Sequence, residues 1–166
     1  MFEGILAVPW LSFPQPEWNS PDDVPSALRL VASAASERES HAAYDDYLYA
    51  VGNNHSGSYY PVVVPTIPFL GEVLVEGGEW AKWTAVQALI DLTASFEPER
   101  GYERMTDANG TQVDVTAQLA AAAGGLGDSV RVLTNDGKLP LRLREAAAEL
   151  LTHLASAAGT PPAEQG

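Results

Sequence analysis

Residues 55–96 read HSGSYYPVVVPTIPFLGEVLVEGGEWAKWTAVQALIDLTASF. The first half, from about Tyr59 to Val75, is apolar and carries prolines at 61, 65 and 68. The second half, from about Trp80 to Phe96, is an unbroken helical pattern, and Glu76-Gly77-Gly78-Glu79 between them reads as a tight turn. Two helices of about 15 residues joined by so short a connection lie back to back as an antiparallel pair. In the second helix Ala85, Leu89, Leu92 and Phe96 form one apolar row, and Trp83, Val86 and Ile90 form another. Thr84, Gln87, Asp91 and Ser95 are left as one narrow polar stripe for solvent. A helix apolar over most of its circumference needs neighbours on several sides. Stacked helix pairs supply them, which predicts an all-α fold, an α-solenoid of about three antiparallel helix pairs.

Upstream, Ser20-Pro21-Asp22-Asp23 predicts a helix start, with Ser20 as N-cap, Pro21 at the first helical position and two acids in the first turn. That helix runs through Leu28, Leu30 and Val31 to about Ala35. The next begins near 36–40, carries Ala43, Tyr44, Tyr47, Leu48 and Val51 on one side, and stops at Gly52-Asn53-Asn54, residues that tolerate a left-handed C-cap. Residues 1–19, rich in Pro and Trp, are expected as an irregular arm whose Trp10, Leu11, Phe13 and Trp18 cover the first helix pair. Downstream, 97–112 reads as a polar linking loop, longer than most connections. The helical pattern resumes near Val113 and contains Gly124, Gly125 and Gly127, each costing about 1 kcal/mol relative to Ala, so a kink or short break is expected there. Asn135-Asp136-Gly137-Lys138 is a turn. Pro140 then opens a last helix with Leu143, Ala146, Ala147, Leu150, Leu151 and Leu154 inside and Arg142, Glu145, Glu149 and His153 outside. The resulting division is an arm at 1–19, a helical domain of six main helices at 20–158 and a disordered tail at 159–166. The turns EGGE and NDGK each precede a helix, with Ala85 and Ala146 at matching positions; with the long loop set aside, their spacing falls near that of HEAT and armadillo units.

Nine Lys and Arg stand against 22 Asp and Glu, a net charge of −13. Such a surface disfavours nucleic acid and anionic membranes and suits a basic protein partner. The absence of cysteine excludes disulfides, thiolate metal sites and cysteine nucleophiles. No run approaches the roughly 20 apolar residues of a membrane span, and the first residues lack a basic leader pattern, which together predict a cytoplasmic protein. Oligomeric state is not set by these features.

Candidate chemistry is sparse. His55-Ser56-Gly57-Ser58 places a base beside hydroxyls, but adjacent residues rarely face one another and no third orienting group is placed; a hydrogen-bonded turn between helical layers accounts for it better. Gly52 to Ser58 imitates a phosphate loop without its lysine. His41, His55 and His153 have no ligand spacing. Glu97, Glu99, Glu103 and Asp107 beside Arg100 and Arg104 read as a solvated mixed-charge loop. The chain is therefore expected to have no catalytic residue, metal or cofactor. Aromatic residues beside acids look more like a binding surface, because Tyr and Trp are enriched at binding hot spots. The expected partner-binding set is Asp45, Asp46, Tyr49, Trp80, Thr84, Gln87, Asp91, Tyr102, Glu145 and Glu149, forming an acidic groove along the second helix of each pair. Most other aromatics belong to the core, Tyr47 and Trp83 foremost.

The run His55 to Pro61, followed by Pro65, Pro68, Phe69 and Leu70, resembles the H-x-G-x-x-Y-P…P…P-F-L signature of small bacterial HEAT-repeat proteins. Asp23-Val24-Pro25-Ser26-Ala27-Leu28 matches a D-V-P-x-x-L segment that they tend to carry upstream. The likeness covers roughly residues 20 to 96, and it departs at Lys82 and Trp83, where HEAT units usually place Val-Arg. The resemblance implies a HEAT-like solenoid. Because some HEAT-like proteins of this size are implicated as immunity proteins, it also implies a non-enzymatic chain that neutralises a basic bacterial toxin. A scaffold without a toxin partner and a HEAT-like nucleic-acid enzyme, which needs a basic concave face, are the competing implications.

Overall fold

Prolines decide where the central helix pair begins. In the computed structural model, which describes residues 1–107 and 109–158, Pro61 and Pro65 confine Pro61–Thr66 to a 3-10 turn. Helix α3 starts only at Ile67 (Ile67–Glu76), with Pro68 in its first turn, where a missing N–H is harmless. It is thus shorter than the apolar run. Gly77 closes it by donating to Val73 O at 2.8 Å, and α4 follows as Glu79–Ala94. The expected tail at 159–166 lies outside the described residues.

Helix α1 spans Asp23–Ser33 and α2 spans Glu37–Val51. Ser20 is not the cap of α1. Its backbone N–H and its hydroxyl both donate to the Asp23 carboxylate, at 2.7 and 2.8 Å, so the helix starts later than the Ser-Pro-Asp-Asp signal indicates. Ser36 does cap α2, accepting from Glu39 N, while the Glu39 carboxylate takes the Ala35 N–H in a variant of the capping box.

The end of α2 departs from expectation. Gly52 is extended, with φ −172°, and opens strand β1 (Gly52–Asn53), which pairs antiparallel with β2 (Ser58–Tyr59). Glycine is required there by closeness: a Cβ at 52 would stand 2.0 Å from Ser58 O. Parts of the 97–112 segment also pair as strands. Strand β3 (Glu97–Pro98) runs parallel to β2, and β4 (Arg104–Thr106) forms a hairpin with β5 (Gln112–Asp114). Asp107 ties the hairpin turn by accepting the Asn109 and Thr111 N–H groups, each at 2.8 Å. Asp114 then caps α5 (Val115–Gly124) through Ala117 N. The three glycines produce a full break before α6 (Gly127–Asn135), and α7 (Leu141–Ala158) completes seven α-helices among the described residues, one more than expected.

Helix α4 packs between α2 and α7, while α1 lies on α2, α3 on α4, and α6 on α7. Helix α5 fills the space between α7, α3 and the 3-10 turn. Leu28, Val31, Leu48, Leu70, Val86, Leu119, Leu143 and Leu150 from these elements share one buried core. Tyr47 belongs to it, fully buried with its hydroxyl 2.7 Å from Thr66 Oγ1. Burial raises its pKa, against a smaller lowering by that hydrogen bond.

The N-terminal arm covers α3 more than the first pair. Trp10 and Phe2 pack on Phe69, with ring centroids 5.9 and 5.6 Å away. Leu11, expected to cover the core, is 68% exposed. It lies in a 3-10 turn (Trp10–Ser12) that points Trp10 inward, so its neighbour points out. Among the described residues no helix is long and apolar enough to cross a membrane.

Candidate functional site

The stripe on α4 is where sequence and structure part most clearly. At about 100° per residue, Thr84 and Asp91 fall on the edge of the stripe nearest α2, with Gln87 further out. Because α2 packs on that side, Thr84 is fully buried and its hydroxyl lies 2.8 Å from both Ser40 Oγ and Trp80 O. The expectation that Thr84 faces solvent is therefore corrected. Asp91 is half-buried and accepts the Tyr44 hydroxyl. Burial, then that bond and the Asp91 charge, raises the Tyr44 pKa, so this hydroxyl keeps its proton and donates. Gln87 borders a crevice of about 170 Å³ shared with Ser40, His41, Tyr44 and Trp83.

At the N-terminal end of α4, one turn before Thr84, Arg142 from α7 covers Trp80. Its guanidinium carbon is 4.2 Å from the Trp80 ring centroid and 5.9 Å from that of Trp83, and it pairs with Glu79. Trp80 is thus not a free anchor; the chain's own cation occupies it. Glu145 and Glu149 are exposed on the stripe of α7 that begins at Arg142, and Glu149 stands 3.7 Å from His153. A cation therefore sits at the α7 end of the groove expected to be acidic.

Asp45 and Asp46 diverge because neighbouring residues on a helix point about 100° apart. Asp45 accepts Asn54 Nδ2 at 3.0 Å beside the β1–β2 turn. Tyr102 packs on Tyr60, ring centroids 4.7 Å apart. Neither joins the α4 stripe. Asp46 and Tyr49 instead line a cleft of about 390 Å³ between α1 and α2. The ten residues thus fall into separate surfaces, and no continuous acidic groove runs through them.

That cleft brings two aromatic rings together with two carboxylates. Trp18 stacks on Tyr49, ring centroids 4.9 Å apart and planes 23° off parallel, and both remain about half exposed, at 46% and 51%. Asp23, Leu30 and Asp46 share the lining, which contains no basic residue. The placement of Trp18 follows from the end of α2. Without a left-handed cap, the last carbonyls of α2 need outside donors. Trp18 Nε1 donates to Tyr49 O at 3.4 Å, Asn19 Nδ2 to Ala50 O at 2.7 Å, and Tyr60 N to Val51 O at 2.8 Å. The two Ser20 donors, the backbone N–H before the hydroxyl, hold the Asp23 carboxyl below the usual carboxylate range, so it stays anionic. Trp18, Asp23 and Leu30 were not among the expected binding residues. The only local signal for Trp18 was a large aromatic in a segment with no helical period.

The candidate reactive groups have local roles. Ser58 Oγ donates to Glu99 at 2.5 Å and lies 2.9 Å from Ser56 Oγ, which fastens β2 to the segment after β3. His55 is exposed, and its backbone N–H donates to Asn53 Oδ1. Glu103 accepts the Gly101 N–H, which lowers its pKa, and Arg104 donates to Gln112 O across the hairpin. Among the described residues no group of three or more His, Asp or Glu is arranged to hold a metal ion. In comparisons with known proteins, no family model, no curated protein and no solved structure matches the chain.

Proposed function

We propose that this chain is a non-enzymatic protein-binding domain whose helix pairs stack as in a HEAT-like solenoid, and that its partner is a basic protein. The succession α2, α4, α7, each helix carrying its pair-mate, supports the stacking. The observation that carries the binding reading is the α1–α2 cleft, where two stacked, half-exposed aromatic rings lie with Asp23 and Asp46 and no basic residue. Desolvated aromatic anchors supply affinity, and a net charge of −13 accelerates encounter with a cationic surface. Within this reading, the HEAT-like resemblance favours a bacterial toxin held inactive as the partner.

Two measurements test it. Co-expression with the product of the adjacent reading frame should restore growth that this product alone arrests. The purified pair should associate at least about tenfold faster at low than at high ionic strength, since exposed charges are screened beyond roughly 10 Å at 0.1 M salt. An association rate indifferent to salt would refute the electrostatic part, and a partner without a basic surface would refute the choice of partner.

A further inference from the structure

The α1–α2 cleft carries a chemical selectivity beyond that of an acidic surface in general. We infer that it is a receptor for one arginine side chain of a basic protein segment. The guanidinium lies against the Trp18–Tyr49 pair, Asp46 and Asp23 neutralise it, and its methylene stem rests on Leu30. This rests on the protein-binding reading above and narrows it to one side-chain chemistry.

Four features support the assignment. The volume, about 390 Å³, is near the low end of ligand sites and suits a long side chain with its flanking backbone. The lining combines apolar Ala27, Leu30 and Ala50 with two aromatics, two carboxylates and the uncharged polar Asn19 and Ser26. A guanidinium is planar and weakly hydrated, so it stacks on an aromatic face while keeping its N–H groups in plane for carboxylates; an ammonium cannot do both. Finally, the molecule already uses this combination internally, where Arg142 lies over Trp80 and pairs with the Glu79 carboxylate. In the cleft the aromatic rings and carboxylates are present, and none of the lining residues is cationic.

The test is an NMR titration of the full chain with the blocked tripeptide Gly-Arg-Gly, its lysine counterpart and its citrulline counterpart, which keeps the shape of arginine without the charge. The Trp18 indole N–H resonance is identified by its loss in Trp18→Phe, and unchanged signals from Trp10, Trp80 and Trp83 verify the fold. The arginine peptide should shift that resonance saturably. Citrulline, which lacks the charge, and lysine, which cannot stack and pair with carboxylates in one plane, should bind about fivefold or more weakly, in line with a contact of about 1 kcal/mol. Loss of a charge pair in Asp46→Asn should weaken arginine binding by up to a similar factor. Equal binding of citrulline, or no saturable shift with arginine in the tens of millimolar, overturns the assignment. If the peptide fails while a basic protein still binds with salt dependence and Tyr49→Ala leaves that affinity unchanged, the cleft assignment falls and the protein-binding reading stands. If the peptide binds as expected and no basic protein does, the reverse holds.

Discussion

Thr84→Val is the substitution that best separates a buried α2–α4 seam from an open groove. Valine keeps the shape of threonine and removes only the hydroxyl, which lies 2.8 Å from both Ser40 Oγ and Trp80 O. Ser40 is only 2% exposed, so bulk solvent meets it only through the crevice it lines beside Gln87. Leaving one buried polar atom unsatisfied costs about 1–3 kcal/mol, and the added methyl returns a fraction of that. Ser40→Ala alone should cost less, about 0.5–1.5 kcal/mol, because Thr84 retains Trp80 O. The double variant removes both hydroxyls together and should fall short of the sum of the singles by about 1 kcal/mol. Urea unfolding of the four proteins completes the cycle. In thermal melts, each kcal/mol should appear as roughly 2–4 °C at this chain length. A Thr84→Val protein as stable as the parent, or strictly additive effects, would place Thr84 in solvent and refute the seam.

Gly52→Ala should destabilise more than Gly71→Ala. The first drives a Cβ to 2.0 Å from a backbone oxygen that cannot yield, whereas the second meets the end of the Leu126 side chain at 2.6 Å. For Gly71→Ala, overpacking of about 1–3 kcal/mol is partly offset by about 1 kcal/mol of helix propensity, and the reverse order in urea melts would contradict the close β1–β2 crossing. Arg142→Gln should cost about 0.5–1.5 kcal/mol and shift tryptophan emission to the red as Trp80 is uncovered; an unchanged spectrum would count against the Arg142–Trp80 contact. For Asp23 the folded pKa is lowered, so its stabilisation is complete above the unfolded value of about 3.9 and is lost as pH falls through the folded value. The melting-temperature gap between the parent and Asp23→Asn should therefore be constant near neutrality and close in acid; a gap independent of pH would exclude the Ser20–Asp23 contact as its source.

How far the fold could be read in advance follows from the range of each interaction. The row Ala85, Leu89 and Leu92 of α4 and the face Leu143, Ala146, Ala147 and Leu150 of α7 are local patterns buried as periodicity predicts. The helix breaks at the glycines after α5, while Phe96 falls beyond α4 and Trp83 and Ile90 are only partly buried. The strands do not announce themselves. Two-residue segments such as Ser58–Tyr59 and Glu97–Pro98 are too short to alternate, and their pairing joins positions almost forty residues apart through backbone groups that every sequence possesses. Gly52 was legible as a stop but not as a crossing, because both uses favour the same residue. Ser20 was misread for a similar reason. A serine three residues before an aspartate can accept from the helix or donate to the acid, and the spacing is the same in either case.

The binding surface was harder to read, for a reason that lies in α2. Helix periodicity identifies which residues share a face, but it cannot say how many neighbours compete for that face. With α1 on one flank and α4 on the other, the buried arc of α2 takes in Ser40, Ala43, Tyr47, Leu48 and Val51. Asp45 and Asp46 lie at the opposite borders of the arc that remains. Each is then claimed by whatever stands nearest, Asp45 by Asn54 and Asp46 by the cleft toward α1. Composition predicts that the surface is acidic, and it cannot distribute the acids. The aromatic part of the cleft comes from the unmet carbonyls at the end of α2, which draw Trp18 and Asn19 across and so place an aromatic ring from the arm against Tyr49. The cleft is therefore a consequence of how α2 ends: a glycine in left-handed conformation at position 52 would have satisfied those carbonyls within the helix, removing the reason for the arm to cross there.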